Sequence, residues 1–201
     1  MNKRTLLLIS IFFTQCTTRH AEQWQKITID PKLPRYAAFS SMKKQIEAFF
    51  NPLPDTIPKA SNDVTFFAGN YQNKKDTAGT KNNHCEAYYK DSDTLFIRIG
   101  KDGILGGNGF TISCKNENFN TKGYLYSDMV YMGKVNQPQH WVIYQKLTLD
   151  KKSYRVGDSL YGKIDFKAME RNEIGDTILY KGNGNFRVKV EKLIMVEPLN
   201  M

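Results

Sequence analysis

From residue 64 to residue 191, apolar and polar side chains alternate with few interruptions. A period of two sends successive side chains to opposite faces of a strand, so this pattern fits a half-buried sheet and not an amphipathic helix. Leu95, Ile97 and Ile99 share one face, with Arg98 opposite, and Phe110, Ile112 and Cys114 share another. Trp141, Ile143, Leu147 and Leu149 point one way, while Tyr144, Lys146 and Thr148 point the other. Leu160, Ile164, Phe166 and Ala168 form an inward row against Lys163, Asp165 and Lys167. Phe186, Val188 and Val190 form the last such row, against Arg187, Lys189 and Glu191. Strands with one apolar and one polar face belong to antiparallel sheets. Roughly eight or nine of them at short spacing predict an all-β fold, and the unequal connections favour a mainly antiparallel β-sandwich over an open barrel.

Turn signals punctuate the pattern. Asp91-Ser92-Asp93 separates residues 85–90 from 94–99 and predicts a hairpin. Asn-Gly pairs in Gly107-Asn108-Gly109-Phe110 and in Gly182-Asn183-Gly184-Asn185-Phe186 predict two tight turns, because such pairs supply the positive φ angles that those turns need. Gly157-Asp158 reads as a β-turn between two strands, within a segment similar to those of exported β-sandwich modules. That likeness concerns the fold and carries no activity.

Before residue 64 the period changes. Gln25 to Asp30 reads as a short strand with Ile27 and Ile29 on one side, ended by Pro31 and Pro34. Phe39, Met42, Ile46 and Phe49 recur at three and four residues, which predicts one short amphipathic helix over 36–50. Ser40 or Ser41 stands near its start and Asn51-Pro52 closes it. Pro52, Pro54 and Pro58 then make an extended linker.

The first residues describe an export signal: Lys3 and Arg4, an apolar run from Leu6 to Phe13 broken only by Ser10, then polar residues. A spanning helix needs about 20 apolar residues, so this run is too short to be one. Phe13-Thr14-Gln15-Cys16 resembles the lipobox of bacterial lipoproteins, with Phe13 where Leu is common and Gln15 where Gly, Ala or Ser is common. The resemblance covers these sixteen residues. It implies cleavage before Cys16, a diacylglycerol on its thiol, and a location on the outer or inner membrane, facing the periplasm or the cell surface. Ordinary cleavage between Cys16 and Glu22 would instead release a soluble periplasmic protein. The chain then divides into a signal (1–15), a tether (16–24) and a single β-rich domain (25–201). Cys85 and Cys114 remain, and an oxidising compartment invites a disulfide between them. The alternative is two separate buried thiols, since a free cysteine packs as a small hydrophobe.

Net charge is +9, and +7 once Lys3 and Arg4 leave with the signal. The lysines are scattered, without the run of like charges that marks a nucleic-acid arm, and export argues against nucleic acid. An acidic glycan, an anionic lipid head group or an acidic protein would suit the charge.

No catalytic, cofactor or metal motif stands out. Gly100 to Gly109 is glycine-rich but leads into a strand, whereas a phosphate-cradling loop must lead into a helix. His84-Cys85-Glu86 offers three potential metal ligands, but neighbours on a strand face opposite ways. His20 and His140 lack zinc-site spacing. A Cys85 nucleophile would need His84 or His140 as its base. Asp91, Asp93 and Asp102 do not match a calcium loop, and aspartate is common in turns. Tyr124, Tyr126 and Tyr131 are candidates for a sugar- or protein-binding platform, or for half-buried sheet residues. The reading that results is a non-enzymatic envelope lipoprotein that binds an envelope protein. A glycan- or small-ligand-binding module is the alternative, and a hydrolase using Cys85 and a histidine comes third.

Overall fold

A computed structural model describes residues 23–42, 60–70, 83–90, 93–103, 105–127 and 136–192. The chain is built mostly of β-strands with very little helix. Two short N-terminal strands come first, β1 (Gln25–Lys26) and β2 (Thr28–Ile29). A four-residue helix α1 (Ala37–Ser40), β3 (Ala60–Asn62) and β4 (Thr65–Asn70) follow. Then come β5 (His84–Tyr89), β6 (Leu95–Gly103), β7 (Gly106–Lys115) and β8 (Asn118–Ser127). The last three are β9 (Gln139–Leu149), β10 (Ser159–Arg171) and β11 (Thr177–Lys192).

Pairing runs in the order β1-β8-β7-β6-β5-β11-β10-β9-β2, with β3 and β4 also on β11. This is one mixed sheet, mainly antiparallel, and β11 joins its two wings. The strand pairs antiparallel with β10 from Thr177 to Lys189, then parallel with β5 from Val190 to Lys192. The parallel contacts are β11 with β5 and β2 with β9. The inner faces of the wings touch: Phe110 of β7 meets Phe166 of β10 at 4.6 Å between ring centroids, and Phe66 of β4 at 5.3 Å. Around them the rows Leu95-Ile97-Ile99, Phe110-Ile112-Cys114, Leu160-Ile164-Phe166-Ala168 and Phe186-Val188-Val190 are all buried, as their alternation predicts.

Residues 25–29 cross from β8 to β9. β1 pairs with β8 and β2 with β9, while Ile27 between them is buried and donates its N–H to Glu117 O at 2.8 Å. The buried side chain of Gln145 completes this seam. It donates from Nε2 to Gln23 O at 2.7 Å and accepts at Oε1 from Thr121 N–H of β8 at 2.9 Å.

Four sequence expectations change. First, β9 does not keep one parity. Lys167 faces Tyr144 and Ala168 faces Val142, so Ile143 is an extra, bulged residue. Beyond the bulge every side chain changes sides, so Val142 is buried and Ile143 is 48% exposed. Second, the Asn-Gly segments are strand interior. Gly107–Gly109 lie in β7 and Gly182–Gly184 in β11. Their glycines serve close packing: a Cβ on Gly182 would collide with Phe166, and one on Gly109 with Tyr124. β6 and β7 stay paired as far as Gly103 and Gly106, past the Asn-Gly segment. Third, α1 spans four residues and is capped by Ser41; the expected helix's residues 43–50 lie outside the described residues. Ser40 and Ser41 do not start it. Their hydroxyls donate to Ala37 O at 2.9 and 3.1 Å, the back-bonding that ends a helical turn. Phe39 is buried edge-on against Tyr161, at 5.4 Å and 77°. Fourth, Cys85 and Cys114 are free. Cys85 faces Ile99 and Cys114 faces Leu95, on opposite flanks of β6. Two strand spacings and four residues of rise separate their Cα atoms by roughly 16 Å, and a disulfide needs less than about 7 Å.

β5 and β6, on either side of Asp91-Ser92-Asp93, pair antiparallel as the predicted hairpin requires, Tyr89 opposite Leu95. The Gly157 turn also forms: Asp158 N–H donates to Arg155 O at 3.0 Å, and Gly157 has φ +95°.

Candidate functional site

Cys16, Asp91 and Tyr131 lie outside the described residues, and nothing is described of the Asp102 side chain. His84, Cys85 and Glu86 divide as strand geometry requires. Cys85 points into the core, where burial and then the Glu86 charge push its thiol upward. Burial alone pushes Cys114 up to about 12. Protonated, enclosed thiols are poor nucleophiles. His84 and Glu86 face outward, 3.9 Å apart. His140, at the start of β9, is separated from Cys85 by β11 and β10 in the sheet. Asp93 is exposed, ion-paired to Lys115 at 2.7 Å and hydrogen-bonded by Thr94, and these contacts hold its carboxyl below the usual range. Among the described residues no group of three or more His, Cys, Asp or Glu could hold a metal ion. Among them, too, no helix is long and apolar enough to cross a membrane.

The outer face of β5–β8 carries a connected band. Glu86 Oε1 lies 3.6 Å from Arg98 Nη1, and the Arg98 guanidinium stands 4.6 Å above the Tyr124 ring. Tyr124 stacks on Tyr126 at 6.2 Å. Gly100 and Gly109 form the floor under Tyr124, since a Cβ on either would strike its hydroxyl. This accounts for Gly100 and Gly109 of the 100–109 segment and leaves Tyr124 half-buried. At the end of the band Leu105, Leu125 and Tyr126 are 78%, 51% and 44% exposed. Register places them at one end of the β7–β8 pair, with Leu125 and Tyr126 on opposite faces of β8: Gly106, next to Leu105, faces Ser127, Gly107 faces Tyr126 and Asn108 faces Leu125.

One end of the core is polar. His140 faces Glu170 across β9 and β10, and Tyr180 lies diagonally from Glu170 on β11. The Tyr180 hydroxyl and His140 Nε2 are buried without a hydrogen-bond partner among the described residues. Burial, then the nearby Lys122 charge, lower the imidazole to about 4, and burial raises the Glu170 carboxyl.

The sequence reading missed a third surface. Lysines that look scattered along the chain converge on the outer face of β9–β10–β11. Tyr144, Lys167, Lys181 and Phe67 form one cross-strand row. Lys146, Asp165, Asn183 and Thr65 form the next, and Thr148, Lys163 and Asn185 a third. Arg187 and Lys189 continue the face along β11. The signal was present as equal parity of Lys163, Lys167, Lys181, Arg187 and Lys189, but linking strands β10 and β11 required their register.

Compared with protein-family models, curated proteins and solved structures, the chain matches none.

Proposed function

We propose that this chain is an exported envelope lipoprotein, anchored through Cys16, whose β-rich domain is a non-enzymatic accessory module for another envelope protein. The observation that carries this reading is the apolar tip of the β7–β8 pair, where Leu105, Leu125 and Tyr126 are all exposed and Leu125 and Tyr126 offer both faces of β8. Single exposed apolar residues are ordinary on a soluble domain, whereas a group of them at one end suits a protein contact. The tip projects from a strand end braced by the Tyr124–Arg98–Glu86 band, so it is held on a rigid element. We read the two wings as the layers of a sandwich joined through β11, and the Phe110–Phe166 contact supports that reading. A short tether before residue 25 would keep the domain near the membrane surface.

Crosslinking in intact cells with a C-terminal tag tests the proposal. A stoichiometric envelope partner is expected, and it should be lost from a Leu105→Ser/Tyr126→Ser variant that still folds. Recovery of the wild-type chain alone would overturn the docking reading. Cys16→Ala should move the protein out of the membrane fraction, and its retention there would overturn the anchor.

A further inference from the structure

We infer that the outer face of β9–β10–β11 binds an extended acidic polysaccharide. This surface is distinct from the apolar tip and does not depend on it. Six cations, Lys146, Lys163, Lys167, Lys181, Arg187 and Lys189, lie on this face by register. None of them makes an ion pair among the described residues, where the salt bridges involve other cations. Lys167 stands directly opposite Lys181. Like charges facing each other across two strands disfavour the sheet, and a bound polyanion relieves that repulsion. Two anions stand at the rows: Asp165, whose Oδ1 already accepts the Tyr144 hydroxyl at 3.2 Å, and Asp63, whose carboxylate is engaged by the backbone N–H and side-chain amide of Asn185.

The shape of the patch selects the partner. Clear of α1, whose Phe39 packs on Tyr161 in the row of Arg187, it runs from Asn185 to Lys181 along β11, about 13 Å, and across three strands about 10 Å, with Lys189 beyond the helix. A flexible linear polymer can lie along that open ledge. Five of the six cations are lysines, mobile point charges without the planar fork that reads a fixed bidentate geometry. Between them stand Thr148, Asn183, Asn185, Thr65 and Tyr144, side chains that exchange hydrogen bonds with hydroxyl groups. Asn185 presents its amide while bonded to Asp63 at 3.1 Å, and Tyr144 is 43% exposed. A bilayer surface would instead favour several aliphatic side chains that insert, whereas the large apolar side chains at the three rows are Phe67, on β4, and Ile143, exposed on the bulge beside Tyr144. α1 reaches the same face at Tyr161, yet Lys163 and Lys189 on either side of that row are exposed.

The test uses the full chain in non-ionic detergent, with polygalacturonate as the acidic polysaccharide and neutral dextran as its control. Polygalacturonate should bind and dextran should not, and the affinity should fall steadily with salt. Unit charges in contact through water are worth about fivefold in affinity, so Lys167→Gln/Lys181→Gln should weaken binding about 25-fold. Its melting temperature should not fall, because the substitution removes a repulsive pair. Lys151→Gln/Lys152→Gln, whose lysines are engaged with Asp158 and Glu117, should bind as wild type does. Equal binding of polygalacturonate and dextran would overturn the inference. So would a Lys167/Lys181 variant that keeps full affinity. Mixed micelles carrying anionic phospholipid, or polyglutamate, binding at least as tightly as polygalacturonate would reassign the face to a membrane or an acidic protein and equally overturn it.

Discussion

Replacing Gln145 with leucine should open the seam between β8 and β9. Gln145 is 2% exposed, and its amide joins Gln23 O at 2.7 Å to Thr121 N–H at 2.9 Å. Leucine has a similar volume and no polar atom. The Thr121 amide, on a residue with no exposed surface, would lose its acceptor, and an orphaned buried N–H costs about 1–3 kcal/mol. Gln23 is exposed, so its carbonyl recovers water and adds little. The leucine side chain returns a part of the loss through apolar burial. A net loss of about 2 kcal/mol follows, which for a domain of this size lowers Tm by roughly 4–8 °C. Urea unfolding should show an earlier midpoint with an unchanged slope, and hydrogen exchange should show lost protection at Thr121. Gln139→Leu, at the exposed start of the same strand, is the control and should leave both unchanged. A Gln145→Leu variant with the wild-type midpoint and a protected Thr121 amide would refute the assignment of Gln145 as the clamp.

Three further outcomes follow from the packing and the titratable groups. Gly123→Ala should destabilise by about 1–3 kcal/mol, because its Cβ would enter the Tyr180 ring, and adding Tyr180→Leu should recover part of that loss in thermal unfolding. Cys85 and Cys114 should resist alkylation at pH 8 in the native protein and both label after denaturation without reductant, whereas labelling that requires reductant would contradict the separation of the two strands. Stability should fall as pH drops from about 6.5 to about 4, because the unfolded imidazole of His140 takes a proton that the folded one refuses. Glu170 works in the opposite sense, its raised carboxyl favouring the fold at low pH, so unfolding titrations of His140→Gln against wild type isolate the imidazole's share.

Much of the fold was legible because side-chain parity is a local property. Once Leu160, Ile164, Phe166 and Ala168 alternate with lysines and aspartate, only one face can be buried, whatever the neighbouring strand is. The same logic failed at Ile143, where a bulge depends on how β9 fits against Lys167 and Ala168 of β10. It failed again at the Asn-Gly pairs. A glycine that allows a tight turn and a glycine that makes room beneath Phe166 or Tyr124 are the same residue, and the aromatic partner is distant in the chain. Ser40 and Ser41 were misread for a related reason, since a hydroxyl can cap a helix start or bond back to a carbonyl within it, and the local backbone decides which.

By itself, then, the sequence determined a β-rich chain and the inward rows of its long strands, because each of these depends on residues adjacent in the chain. Tertiary structure alone decided the rest. The register across β6 set Cys85 and Cys114 apart, and the pairing of β11 with both wings made one sheet of them. The alignment of β9, β10 and β11 gathered dispersed lysines into a single positive face. Strand pairing joins residues far apart in the chain, so a charge pattern that is diffuse along one dimension becomes a concentrated surface once that pairing is set.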